Sequence, residues 1–273
     1  MAIITFWNNG MAETGQSMTL AGVATTLAIN YNYKILMINT KHNDKSLAHA
    51  FEPKNNITGL FAKGKMDLDT GLSGVAKAIM SNKTSPEIIT NYTRIIFKNL
   101  ELLTDKNVSS EDFDRYLKYL KDIIKLSNRY YDIVLVDLEG DIERQDIKDI
   151  LEISNINVVT LAQNINVLDR FIEEKSNNDI LKTDDLLISI GKYDEKSKYT
   201  VKNVSKYIKQ KRVYKIPYNT QYSMDAPEGK VADYFIKFKK INNTHVNAKF
   251  ITSIYEETDD IVKIIKEQQR KIY

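Results

Sequence analysis

The chain has 273 residues, a net charge of +3 and no cysteine. That length suits one large α/β domain, and so small a charge does not argue for a general nucleic-acid coat. The lack of cysteine excludes disulfides, cysteine-held zinc and thiolate-held iron–sulfur clusters, and it fits a reduced cytoplasm.

No apolar run reaches membrane-span length, and the N-terminus lacks the basic-then-apolar pattern of a secretory signal. The first expected strand, 3–8, is the apolar run Ile3 to Trp7. It enters a loop that holds Gly10 and Gly15. A helix over 16–31 follows, with Leu20, Val23, Ala24, Leu27 and Ala28 recurring on one face at helical spacing. A second apolar strand is expected at 35–39. Strand, glycine loop, helix and strand in this order form the setting of a phosphate-binding loop, where backbone N–H groups at a helix start hold phosphate oxygens. Gly10, Met11, Glu13, Thr14, Gly15, Gln16, Ser17 and Met18 are therefore the candidate nucleotide contacts. Ser17 stands where a hydroxyl would bind magnesium. Gln16 stands where a lysine would reach the terminal phosphates, and it carries no charge.

His42 and His49 come next, and with no third ligand nearby they read as surface histidines. Further helices are expected at 68–81, 110–129, 144–153, 166–178, 200–208, 231–240 and 247–270, and further strands at 94–103, 132–137, 156–161, 185–190 and 212–216. Ile133 to Val136 and Val158 to Leu161 are continuous apolar runs, as in strands covered on both faces of a parallel sheet. The fold class is α/β: a doubly wound, mostly parallel sheet with helices on both faces, forming a single domain over 1–273. Ligands in such folds bind at the carboxyl ends of the strands. Asp137 ends one of these runs, where a carboxylate needs a partner, so Ser17 and Asp137 are the candidate magnesium residues.

Two segments invite other functions. Lys206, Lys209, Lys211, Arg212 and Lys215 form a basic run, read as a solvated helix end rather than a DNA contact. The segment 247–270 is amphipathic, but Glu256, Glu257, Asp259 and Asp260 would repel anionic lipid, so packing on the domain is preferred to membrane binding.

With the first unit and the strand Tyr131-Asp132-Ile133-Val134-Leu135-Val136-Asp137 in place, the chain resembles the ParA/MinD family of deviant Walker ATPases, which have a P-loop NTPase fold. Ile216-Pro217-Tyr218-Asn219 resembles the family's segment beside the adenine, which implies base contacts at Pro217, Tyr218 and Asn219. Within the family the likeness is closest to the TadZ/CpaE branch of Flp/Tad pilus assembly. It is carried by F-W-N-N-G at the loop entry, N-Y-T-R-I-I-F-K-N at 91–99, Q-N-I-N-V-L-D at 163–169 and I-P-Y-N-T at 216–220.

The resemblance implies ATP or ADP with magnesium as cofactor. It also implies a cytoplasmic role in positioning or assembling a pilus or secretion apparatus, reached through partner proteins, and a homodimer. The sequence departs from the family pattern at Met11 and Gln16, where lysines are usual, at Glu13, where glycine is usual, and at Asn39-Thr40-Lys41, where an Asp pair usually ends the strand. Hydrolysis is accordingly expected to be absent or very weak, and no residue is assigned a catalytic role. A loop that holds Mg-nucleotide and a loop that holds nothing both remain open on these residues. Trp7 and Met11 are candidates either for apolar contact between protomers or for packing inside the domain. The alternative function is a ParA-type DNA-segregation ATPase.

Overall fold

The computed structural model describes residues 1–10, 13–52, 71–105 and 108–272. Eight strands form one sheet: β1 Ala2–Asn8, β2 Ile35–Asn39, β3 Arg94–Phe97, β4 Leu100–Leu103, β5 Ile133–Glu139, β6 Ile156–Leu161, β7 Leu187–Tyr193 and β8 Val213–Pro217, in the order β3-β4-β2-β5-β1-β6-β7-β8. Every neighbouring pair is parallel except β3 with β4. The continuous apolar runs occupy the centre, where β5, β1 and β6 are buried almost throughout.

The helices are α1 Gln16–Asn30, α2 Ser46–Phe51, α3 Gly71–Met80, α4 Ser110–Leu117, α5 Leu120–Asn128, α6 Gln145–Ile153, α7 Ile165–Asn177, α8 Val201–Tyr207, α9 Thr220–Asp225, α10 Val231–Lys237 and α11 Ala248–Ile272. One apolar core lies under α1, α10 and α11, with Leu20, Leu27, Phe235 and Ile254 among its members. The second lies on the opposite face under α5, α6 and α7, with Ile123, Ile150 and Phe171. This is the doubly wound sandwich expected from the alternation of strand and helix.

Two of the expected elements are divided in the structure. The strand expected over 94–103 is an antiparallel hairpin, because the chain reverses at Lys98, whose φ of 48° lies in the left-handed region. A lysine there gives none of the glycine signal that marks most such turns. The helix expected over 110–129 breaks after Leu117 and resumes at Leu120. Residues 68–70 of the helix expected at 68–81 lie outside the described residues.

The last helix packs on the domain. Phe250, Ile251, Ile254, Ile261, Val262, Ile264 and Ile265 are buried in the first core, against α1 and β8. Among the described residues no helix is long and apolar enough to cross a membrane.

Candidate functional site

The loop after β1 lies at the carboxyl end of the sheet, between the ends of β5 and β6. Its conformation depends on glycine at two points: Gly10 has φ 77° and Gly15, which precedes α1, has φ 75°. Two further contacts hold it down. The Thr14 and Thr160 hydroxyls are 3.0 Å apart, and the Thr14 carbonyl lies so close to Gly191 that a Cβ there would stand 1.7 Å from its oxygen. Met11 lies outside the described residues.

Gln16 is the central side chain of the site. It is buried, and both ends of its amide are fully engaged. The two hydrogens of Nε2 are shared among three acceptors: the Phe6 carbonyl at 3.0 Å, the Leu138 carbonyl at 2.9 Å and Asp137 Oδ1 at 2.6 Å. Oε1 accepts from Asn8 Nδ2 and from the Thr160 hydroxyl, both at 2.8 Å. The partners fix the orientation of the amide, since the reverse placement would set its oxygen against three acceptors. Gln16 therefore ties together the ends of β1, β5 and β6 and faces away from the loop.

Asp137 is fully buried at the end of β5, with Phe6 and Asn39 beside it in the sheet. Its Oδ2 accepts from the Ser17 hydroxyl at 2.6 Å. Its Oδ1 accepts from Gln16 and pairs with the Lys41 ammonium at 3.1 Å. Lys41 also donates to Ser17 Oγ at 3.0 Å and lies 3.6 Å from Glu139 Oε2. The buried carboxylate is thus compensated by one cation and two neutral donors, as burial of a charge requires. Beside Lys41 and Glu139 opens a cleft of about 420 Å³, lined also by His42, Phe113, Arg144 and Ile147.

Glu13 is exposed and pairs with Lys192 at 3.0 Å, at the surface of the loop. Met18 is half-buried in the first turn of α1, and its carbonyl accepts from the Tyr222 hydroxyl at 2.8 Å. Pro217 ends β8 and is half-buried, and Tyr218 is exposed. Asn219 is buried and its side chain is occupied: Oδ1 caps α9 at the Tyr222 N–H, and Nδ2 donates to Asn247. Asn247 in turn donates to Gln221.

Of the two readings of Trp7, internal packing holds: it is 1% exposed and lies in the second core, with its indole N–H donating to the Gly140 carbonyl at 2.9 Å. In the basic run, Arg212 pairs with Asp185 and Asp260, and Lys215 with Glu195.

Sequence reasoning missed Asn8 and Thr160. Both are polar residues at or beside the carboxyl ends of β1 and β6, and that position was the available signal. It also treated Lys41 only as a lost carboxylate. The ammonium's reach back to Asp137 follows from the pairing of β2 with β5, which no local pattern reveals.

No protein-family model matches the chain, and no curated protein sequence does. Solved structures match over nearly its whole length. A ParA family ATPase from Chlorobium tepidum TLS superposes with a TM-score of 0.71 at 14% identity, covering 94% of this chain and 98% of the other. The septum site-determining protein MinD from Pyrococcus horikoshii OT3, complexed with Mg-ADP, gives 0.66 at 16% identity, with 97% and 98% covered. A putative plasmid partition protein from Borrelia burgdorferi B31, bound to AMPPNP, gives 0.59 at 15% identity, with 98% and 100% covered. The chain therefore has the P-loop NTPase fold of the ParA and MinD ATPases.

Proposed function

We propose that this protein is a non-hydrolysing member of the ParA/MinD group that works as a positioning or assembly factor, in the manner of TadZ/CpaE proteins at a pilus or secretion apparatus. The observation that carries the reading is the inward amide of Gln16. In an active loop a cation at this position neutralises charge as it develops on the transferred phosphoryl group. Here the position holds a neutral side chain whose hydrogen bonds are spent on three strand ends. Glu13 brings a negative charge to the loop, balanced at the surface by Lys192.

Nucleotide, ATP or ADP, would lie along Gly10–Ser17 with its base beside Pro217 and Tyr218. That solved structures of this fold are bound to Mg-ADP and to AMPPNP supports a nucleotide as the ligand. Asn219 would contribute through its backbone, because its side chain is committed to α9 and Asn247. The output is a protein contact. A MinC:MinD complex exists among the structures of this fold.

The deciding experiment is phosphate release by pure protein with Mg-ATP, with and without DNA. The reading expects no release above the blank. Turnover near the ordinary enzyme range, about 1 per second, and stimulated by DNA, would replace it with the DNA-segregation ATPase.

A further inference from the structure

The fold implies a magnesium ion between the Ser17 hydroxyl and Asp137, and the residues present do not fit one. The two oxygens are together, but the position they share is already taken by a charged group. Lys41 Nζ lies 3.0 Å from Ser17 Oγ and 3.1 Å from Asp137 Oδ1, with Glu139 Oε2 at 3.6 Å. Ser17 donates its own proton to Asp137 Oδ2, which leaves its oxygen lone pairs for the ammonium, as they would be left for a metal. Asp137 has no exposed surface, and the Lys41 side chain is 13% exposed. Lys41 follows β2 by two residues, and Asn39 sits directly beside Asp137 in the sheet, so the short return of the side chain is built into the register.

We infer that the Lys41 ammonium is a built-in replacement for the divalent cation, and that whatever phosphate-bearing ligand the loop takes is bound without metal. The inference rests on reading residues 8–17 as a phosphate loop, and it goes beyond the absence of hydrolysis. A divalent ion entering this position would face an ammonium at contact distance, with one buried carboxylate shared between them, and oxygen-only coordination could not be completed. The ammonium offers the loop a single fixed charge instead. The exposed Glu139 Oε2 lies at longer range, 3.6 Å, than the ammonium's other two contacts, and a phosphate oxygen could take that place.

The test needs no nucleotide. Thermal midpoints are measured for wild type, Lys41→Ala and Lys41→Met in EDTA, in millimolar MgCl2 or MnCl2, and in NaCl of matched ionic strength. Wild type is expected to move by less than about 1 °C between EDTA and metal. Lys41→Ala, which opens the position, is expected to fall in EDTA and to regain about 5 °C or more with Mn2+ but not with NaCl. Lys41→Met, whose chain still fills the space, is expected to fall and not recover.

A metal-dependent rise in the wild type, or a folded Lys41→Ala that ignores Mn2+, overturns the inference. If the variants do not fold, Mn2+ titration of the wild type followed by electron paramagnetic resonance decides. Free Mn2+ throughout agrees with the inference, and a bound ion lost in Asp137→Asn defeats it. The two readings fail on different results. Phosphate release by wild type defeats the non-hydrolysing function, whereas a metal response without nucleotide defeats this one.

Discussion

The replacement Gln16→Glu tests the site most directly, because it changes one atom in an unchanged outline. It puts an oxygen where Nε2 now donates to Asp137 Oδ1, Phe6 O and Leu138 O at 2.6, 3.0 and 2.9 Å. The two N–H groups serve one charged acceptor, at about 1.5–3 kcal/mol, and a pair of carbonyls that share the second proton, at about 0.5–1.5 kcal/mol, so the loss totals about 3 kcal/mol. Two carboxylates in contact add repulsion, which the variant relieves by binding a proton. A carboxyl whose folded pKa is raised contributes stability that is lost as pH rises, so the deficit must grow from acid towards neutral pH. Urea unfolding followed by circular dichroism at about pH 5.5 and about pH 7.5 measures this. We expect a deficit of about 3 kcal/mol or more at the higher pH, and a smaller one at the lower. A deficit below about 1 kcal/mol at both would refute the reasoning, because Gln16 would then face the loop and be free to touch phosphate.

Three other outcomes are expected. Glu257 is fully buried on α11, hydrogen-bonded to Ser189 at 3.2 Å, and burial pushes its carboxyl up to about 8 from the ordinary 4.5. The proton-bound state is favoured in the fold, so this contribution is full below about pH 4.5 and is lost as pH rises towards 8, by at most about 5 kcal/mol. Glu257→Gln should flatten that decline in a stability–pH series, and an unchanged slope would exclude Glu257 as its source. Gly191→Ala drives a methyl into the Thr14 carbonyl, so it should cost about 1–3 kcal/mol of stability in denaturant titration, and neutrality would mean that the loop yields freely. In sedimentation, Mg-ATP should not turn a monomer into a tight dimer, since Gln16 and the uncharged Met11 offer no lysine for a cross-contact; a dimer formed only with ATP would contradict this.

The parts of the fold that were legible are those whose cause is local. Ile133 to Val136 are hidden on both faces, so the run alone announces a central strand, and Asp137 at its end is marked by position. The hairpin was not legible, because Lys98 adopts a turn conformation that its residue type does not advertise. At the site, Ser17 and Asp137 were readable as a pair and are in contact. Gln16 was readable only as a missing charge. Its partners come from the ends of three strands far apart in sequence, and the hydrogen-bond pattern exists only once β1, β5 and β6 are adjacent. Lys41 shows the same limit: its charge reads as a defect in a motif, and becomes a compensation when its neighbours are known.

The paired amides of Asn219 and Asn247 have a consequence for how the chain can vary. They close an excursion that leaves the sheet at the end of β8 and returns at the start of α11. Inside it, Tyr222, Tyr234 and Phe235 contact one another and Phe250, and Phe238 adds to Tyr234. The tip between α10 and α11, residues 242–246, is exposed throughout. A segment clasped at its base and open at its tip can lengthen cheaply, because doubling a flexible loop costs only about 0.6 kcal/mol. Insertions, fusion tags or reporter groups placed at 242–246 should therefore leave the sheet, the loop and the last helix in register.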